Sequence, residues 1–141
     1  MSNEPSGTPR RTVRVVLAGT LAALALAVTT TEPTAADGDA SAGETVFRKC
    51  AVCHTVELGK HKIGPGLLGV VGRTPGTAEG FKYSGAMKSF GEAGQVWNEA
   101  TLDSYLTNPR AVVKGTRMAF PGLKDTADRD NVIAYLKSLS Q

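Results

Sequence analysis

Two cysteines and a histidine stand together in the run Cys50-Ala51-Val52-Cys53-His54. On one helical turn, thiols three residues apart lie on the same side and can add to the two vinyl groups of one porphyrin. The imidazole of His54 would then be carried under the iron. The run therefore predicts covalent haem attachment through Cys50 and Cys53, with His54 as an iron ligand.

Two other kinds of site use the same pair of cysteines. A C-x-x-C pair in an exported protein can form a redox-active disulfide, but that site belongs to a βαβ pattern of strands that this sequence lacks. The spacing is also that of half a zinc site, but zinc needs two more ligands, and the sequence has only one other His, His61, and no third Cys. Haem attachment remains the favoured interpretation.

A haem iron has a sixth position, for which the candidates are Met87, Met118, His61, water or an exchangeable ligand. His61 follows His54 too closely to reach the opposite face, so we expect it to form hydrogen bonds between loops. Met87 lies in a polar loop. Met118 lies in the glycine-flanked segment 115–122, which can present a thioether to a buried metal. Either Met could also simply fill the core.

Three helices must position these residues. The first is expected over residues 42–50, opened by a capping box between Ser41 and Glu44. The second runs from an N-cap at Asn98 to about residue 108, where Pro109 ends it, and a short helical turn follows through Val113. The third covers residues 126–139, with a stripe of buried apolar side chains.

A long irregular segment separates the first two helices. Residues 55–94 contain ten glycines, together with Pro65 and Pro75, and show no extended apolar period. We expect loops there, with at most a short helical turn at 84–89. Such a loop is unusual in a compact domain unless it wraps around a large rigid cofactor. The fold class predicted is therefore all-α.

Residues 1–36 read as an export signal. Arg10, Arg11 and Arg14 precede the uncharged run 15–28, which is followed by the small residues 34–36 that a signal peptidase accepts. This run has 14 residues, whereas a membrane span needs about 20, so we expect cleavage near residue 36 rather than a permanent anchor. Residues 37–141 then form one domain, exported to the bacterial periplasm.

The charge balance excludes one class of partner. The whole chain has 16 Lys and Arg against 13 Asp and Glu, and the first 36 residues hold three of those cations and two of the acids, which leaves +2 for residues 37–141. Nucleic-acid binding needs many clustered cations, so it is not expected. The local cations Lys62, Lys114, Arg117 and Lys124 are candidates for a docking rim.

Six segments, in order from Gly43 to the end, closely resemble the class I cytochromes c of the mitochondrial and related bacterial electron-carrier type. The resemblance implies the class I cytochrome c fold, with three main helices and loops wrapped around one covalent haem c. The segments are GETVFRKCAVCHT, GPGLLGVVGRTPG, GFKYSGAMK, VWNEATLDSYLTNPR, GTRMAFPGL and DRDNVIAYLKSLSQ.

The resemblance also implies roles for particular residues. His54 corresponds to the proximal axial ligand and Met118 to the distal one, while the carbonyl of Pro65 accepts the other N–H of the imidazole. The remaining residues implied to surround the haem are Arg73, Tyr83 and Trp97 at the propionates and Tyr105 beside the methionine sulfur. A contact between the first and last helices is implied through Gly43, Phe47 and Tyr135.

The sequence departs from the family pattern at two places. Many relatives have Pro-Gly-Thr-Lys-Met at the distal ligand, whereas this chain has Lys114 in place of the proline and Arg117 in place of the lysine. Met87 stands where an Asn beside the haem is common in mitochondrial members. The first change affects the mobility of the Met118 segment, and the second removes a polar group near Tyr105.

The function implied is single-electron transport, without catalysis. A haem with His and Met ligands has no open position for a substrate. The expected partners are respiratory or photosynthetic membrane complexes, terminal oxidases and periplasmic reductases, which a monomer would meet in transient docking. The alternative is a haem enzyme or gas-binding protein with a labile sixth ligand, for which no further catalytic constellation is visible.

Overall fold

A computed structural model describes residues 38–140. The predicted export signal, residues 1–36, and its boundary with the domain lie outside the described residues. Within them the chain forms helices and loops with no strand, which confirms the all-α prediction. The helices are α1 (Ala40–Ala51), α2 (Gly85–Glu92), α3 (Glu99–Thr107), α4 (Pro109–Val112) and α5 (Thr126–Ser138). None of these helices is long and apolar enough to cross a membrane.

Helix α1 begins two residues before its predicted start. The side chain of Asp39 accepts hydrogen bonds from the backbone N–H groups of Ser41 and Ala42, so Asp39 is the N-cap. The backbone N–H of Asp39 in turn donates to Asn131 Oδ1 at 2.8 Å. The capping box predicted between Ser41 and Glu44 was therefore wrong, because an earlier carboxylate already satisfies the first-turn donors.

Helices α1 and α5 cross in close contact. A Cβ on Gly43 would collide with the Asn131 carbonyl and with Cβ of Tyr135, so only glycine lets the two backbones approach this closely. Next to this point the rings of Phe47 and Tyr135 pack with centroids 5.3 Å apart. The contact implied through Gly43, Phe47 and Tyr135 is present, and it places the end of α1 beside the cavity described below.

Helix α2 is longer than the short turn expected at 84–89. Its N-cap is Ser84, whose hydroxyl accepts the backbone N–H of Met87 at 3.2 Å. Gly91 lies against the Pro75 carbonyl, where a Cβ would not fit. The glycines that made this region look irregular therefore allow α2 to pack tightly on the preceding loop.

Helix α3 begins at its predicted cap, and the short turn expected before Val113 is α4. Asn98 caps α3 by accepting the backbone N–H of Thr101 at 2.8 Å. Pro109 occupies the first turn of α4, where its missing N–H costs nothing, and the Asn108 side chain caps that turn. One face of α3 is buried in the core and comprises Leu102, Tyr105 and Leu106.

Candidate haem site

The attachment residues lie where α1 ends. Cys50 is still within α1, and its carbonyl accepts the backbone N–H groups of Cys53 at 3.0 Å and His54 at 2.9 Å. The chain thus makes one tight turn that brings both thiols and the imidazole to the same cavity. Both cysteines are unpaired thiols and are half-buried.

The environment of Cys50 disfavours the disulfide redox alternative. Burial raises the pKa of the Cys50 thiol, and the nearby charge of Lys49 offsets this only in part. Redox-active and nucleophilic cysteines have lowered pKa values that populate the thiolate. Among residues 38–140 no cluster of His, Cys, Asp and Glu could hold a metal ion by itself, so the structure offers no support for the zinc alternative either.

His54 is held rigidly by the loop that follows the motif. Its Nδ1–H donates to the Pro65 carbonyl at 2.8 Å, as the resemblance implied. This hydrogen bond leaves Nε2 as the nitrogen that can bind a metal. A Cβ on Gly64 would collide with the imidazole, and the Gly64 N–H donates to the Cys53 carbonyl at 2.8 Å. Gly64 therefore packs directly on the His54 ring.

Burial lowers the pKa of His54 below its ordinary value, and the hydrogen bond to the Pro65 carbonyl opposes this shift. The cause is desolvation, which disfavours the charged imidazolium in the partly closed cavity. The neutral imidazole is the form that ligates metals. The local environment thus favours the ligating state before any metal is bound.

Met118 lies in the same cavity, in contact with two polar side chains. The Tyr105 hydroxyl donates to Met118 Sδ at 3.4 Å and lies 3.2 Å from Thr116 Oγ1. Thr116 Oγ1 also accepts the backbone N–H of Met118 at 3.2 Å. Burial raises the pKa of Tyr105, so its hydroxyl stays protonated and can donate. Two hydroxyls thus orient the thioether and the backbone that carries it.

The other residues implied by the resemblance line the cavity as well. Trp97 is buried and packs in tilted geometry between two rings, with centroids 5.7 Å from Phe90 and 4.9 Å from Tyr105. Tyr83 packs edge-to-face on Phe81. The Arg73 guanidinium donates to the carbonyls of Gly66 and Leu68, at 2.9 and 3.3 Å.

The cavity has a volume of about 530 Å³. Pockets of this size hold a bound organic ligand. Its walls are mainly apolar and come from α1, α2, α3, α5 and the loops between them. No Asp or Glu is among the described residues that line it, whereas Lys49, Arg73, Lys82 and Arg117 are. This lining fits an anionic porphyrin, because it combines apolar walls and positive charge with two thiols, a neutral imidazole and a thioether.

Two predicted residues have particular positions. His61 lies outside this cavity, as expected, and bridges two loops: its Nδ1 accepts the Gly66 N–H at 2.9 Å and its Nε2–H donates to the Glu79 carbonyl at 2.7 Å. Met87 does line the cavity and is buried. The hydrogen bond from Tyr105 is made to Met118 and not to Met87.

Sequence reasoning missed several residues of the site. Gly64, Thr116, Phe120, Lys49 and Lys82 all line the cavity and were not predicted to do so. The position of Gly64 directly before Pro65 was a usable signal, because a glycine beside a fixed carbonyl often marks a close approach. The positions of the two lysines depend on tertiary packing, for which the sequence has no local signal.

An all-α fold around such a cavity defines a c-type haem protein. The family model of Cytochrome c matches residues 40–140. The chain is 52% identical over 100 residues to cytochrome c2 of Rhodoblastus acidophilus, covering 70% of this chain and 91% of that protein. It is 51% identical over 102 residues to cytochrome c of Gossypium barbadense, covering 71% and 89%.

A solved structure agrees. The structure of cytochrome c2 from Rhodospirillum centenum superposes with a TM-score of 0.70 at 40% identity, covering 74% of this chain and all of that one. The chain belongs to the cytochrome c family. It is a cytochrome c2-like electron carrier with one covalent haem c at Cys50 and Cys53, and not an enzyme. Carriers of this type exchange electrons with redox partners in transient contacts.

Proposed function

We propose that the chain is a periplasmic one-electron carrier in which His54 and Met118 are the two axial ligands of the haem iron. The observation that supports this most strongly is that the imidazole and the thioether enter one cavity with both attachment thiols. When bound there, haem supplies a one-electron couple in which no bond to a substrate forms or breaks.

The surrounding residues prepare both ligands. The Pro65 carbonyl holds the Nδ1–H of His54 and so directs Nε2 towards the metal. Tyr105 and Thr116 orient Met118. The mainly apolar walls would limit the access of water to the bound iron.

The propionates are proposed to lie near Arg73, Tyr83 and Trp97. Supporting this, all three side chains line the cavity, and Arg73 supplies a cation on a wall without acids. Burial raises the pKa of Tyr83, and the nearby charge of Arg73 opposes this shift. A neutral phenol, an indole N–H and a guanidinium are donors suited to two half-buried carboxylates.

We further propose that partners dock at the mouth of the cavity. Val52 and Ile63 line it and are 74% and 82% exposed, an apolar centre unusual on a free surface. Lys49, Lys82 and Arg117 also line the cavity. A partner with carboxylates around an apolar patch would complement this surface and could release quickly.

The structure bears on which cations of the expected docking rim lie at the cavity. Of Lys62, Lys114, Arg117 and Lys124, only Arg117 lines the cavity. Lys62 Nζ donates to the Ala51 carbonyl at 2.7 Å and Lys124 Nζ to the Thr107 carbonyl at 2.9 Å. Lys49 Nζ is likewise engaged, with Asp128 Oδ2 at 2.8 Å. We therefore propose Lys82 and Arg117 as the cations that meet the partner.

Export is part of the proposal. The basic start, the 14-residue apolar run and the small residues at 34–36 support a signal that is removed near residue 36. Haem-stained fractions of the producing cell and the mass of the mature protein test this. A product that begins near residue 37 in the periplasmic fraction is expected, and a full-length product in the membrane fraction would overturn the cleavage.

The carrier proposal is tested by adding the purified reduced protein to washed respiratory membranes and following its oxidation. We expect saturable oxidation, and a rate constant roughly tenfold lower at low salt when Lys82→Glu and Arg117→Glu are combined. Lys88→Glu, an exposed site outside the cavity, is the control and should behave like the wild type. Ready carbon monoxide binding by the ferrous wild type would instead indicate a labile sixth ligand and contradict stable ligation by Met118.

A further inference from the structure

Arg129 is a buried cation at the start of α5. Its exposed fraction is 8%, and it is the only charged residue that is buried among residues 38–140. Burying a cation is costly unless nearly all of its donors find acceptors. The acceptors of Arg129 therefore show what its burial achieves.

Four hydrogen bonds join Arg129 to α3 and to residues 123–126, which precede it in the chain. Nε–H donates to Asp103 Oδ1 of α3 at 2.5 Å. Nη1 donates to two successive carbonyls, Leu123 at 3.0 Å and Lys124 at 3.1 Å, and Nη2 donates to Thr126 Oγ1 at 3.1 Å. One side chain thus connects α3, the backbone that follows Met118, and the beginning of α5.

The backbone of residues 122 and 123 also contacts the C-terminal end of α3 directly. The last carbonyls of a helix lack partners within the helix, and those of α3 are taken by this segment. Leu123 N–H donates to the Leu106 carbonyl at 2.8 Å. Gly122, with φ 96°, passes so close to the Thr107 carbonyl that a Cβ would collide with it.

These contacts define one end of the Met118 loop, residues 113–123. Leu123 is buried at that end and Val113 at the other, with exposed fractions of 5% and 3%. Tyr105, whose hydroxyl contacts Met118 Sδ, also belongs to α3. Helix α3 therefore both touches the sulfur and supports the end of the loop that carries it.

We infer that Arg129 is a positioning residue for the sixth ligand. By holding Leu123 and Lys124 against α3, it sets the position of the Met118 loop and so keeps the thioether on the iron. The inference rests on the proposed ligation by Met118. It concerns the equilibrium between a seated loop, with Met118 on the iron, and a displaced loop, with Met118 away from it. This equilibrium is distinct from the overall stability of the fold.

Competition by imidazole measures that equilibrium in the ferric holoprotein. Imidazole binds to iron only when Met118 leaves, so its affinity rises if the loop is displaced more easily. For Arg129→Gln we expect roughly ten- to hundredfold tighter imidazole binding, the range for loss of hydrogen bonds to a charged group. Arg129→Lys, which keeps the charge but loses the planar set of donors, should fall between the wild type and Arg129→Gln.

A matched pair of α3 variants serves if Arg129→Gln folds poorly. Asp103→Asn removes the negative charge that accepts the Nε–H of Arg129, and leaves the other acceptors of Arg129 in place. Glu99→Gln alters a second α3–α5 ion pair, Glu99 with Lys137 at 2.6 Å, which does not involve the Met118 loop. We expect imidazole to bind roughly two- to tenfold more tightly to Asp103→Asn, and equally well to Glu99→Gln and the wild type.

The outcomes separate this inference from the proposed function. If the wild type lacks the near-infrared band of methionine-ligated ferric iron, the ligand assignment fails and the inference fails with it. If the band is present but imidazole affinity is unchanged in Arg129→Gln and Asp103→Asn while urea unfolds them more easily, Arg129 only stabilises the fold. That second result would overturn the inference alone.

Discussion

The two sides of the haem cavity are built in different ways. On the His54 side, the attachment turn and the Pro65 carbonyl lie within a short stretch of chain, with Pro65 only 11 residues after His54. On the Met118 side, the sulfur meets Tyr105, and the loop end is held by Arg129 from α5. The His54 side is therefore held by covalent attachment to the haem in addition to its hydrogen bond, whereas the Met118 side is held by hydrogen bonds alone.

This difference indicates where the molecule can change. A side held by two thioether bonds cannot release the haem without breaking covalent bonds. A side held by hydrogen bonds, each contributing about 1 kcal/mol, can open while the rest of the fold persists. We therefore expect substitutions on the His54 side to affect assembly, and those on the Met118 side to affect ligand exchange.

The largest effect is expected when both attachment thiols are removed. In Cys50→Ala with Cys53→Ala no thioether bond can form, so haem-stained gels of the denatured protein should show no haem. A domain of this size that also lacks the body filling its cavity should lose cooperative unfolding, which circular dichroism during urea titration measures. Retention of haem through denaturation would contradict the covalent attachment.

Gly64→Ala should have the next largest effect, because the new methyl group would collide with the His54 imidazole. We expect a loss of about 1–3 kcal/mol in the free energy of unfolding of the holoprotein, the usual cost of overpacking. Gly85→Ala is the matched control, since nothing lies within 4 Å of its Cβ position. Equal stability of the two variants would mean that Gly64 does not restrict the ring.

Tyr105→Phe should act more weakly and on the other side. It removes the hydroxyl that contacts Met118 Sδ at 3.4 Å and Thr116 Oγ1 at 3.2 Å. We expect a loss of about 0.5–1.5 kcal/mol in the stability of the seated loop, measured as tighter imidazole binding. Tyr135→Phe, on the α1–α5 contact, should leave imidazole binding unchanged, and an equal change in both would remove the special role of Tyr105.

The smallest effect is expected for the ion pair between Lys49 and Asp128, 2.8 Å apart, with side chains 55% and 34% exposed. The hydrogen bond with Asp128 raises the pKa of Lys49, so the ammonium stays charged well above neutral pH. Solvent screens such a pair, and Lys49→Met should unfold at the same urea concentration as the wild type within experimental error. A clear destabilisation would show that the end of α1 depends on this contact.

The sequence was most informative where chemistry and structure are both local. Cys50, Cys53 and His54 need a single turn, and the predicted cap Asn98 acts on Thr101, three positions away. The start of α1 was mispredicted because Asp39 is also held by Asn131, 92 residues later in the chain. Local capping rules do not include such a partner.

Other features depended on packing that a single sequence does not display. The length of α2 was underestimated because Gly85 and Gly91 weaken its helical pattern, although Gly91 is what allows contact with Pro75. The predicted rim included Lys62 and Lys124, whose amines in fact donate to backbone carbonyls. Arg129 was not singled out from the sequence, because its burial depends on Asp103, which lies 26 residues earlier and reaches it only through tertiary packing.

Near-infrared absorption of the ferric protein tests whether His54 and Met118 occupy the two axial positions of the haem iron. Met118→Ala and Met87→Ala are compared with the wild type, because both thioethers line the cavity. We expect a methionine-to-iron band in the wild type and in Met87→Ala, and its absence in Met118→Ala. A band that survives Met118→Ala and disappears in Met87→Ala, or a wild type without the band, would contradict this ligand assignment.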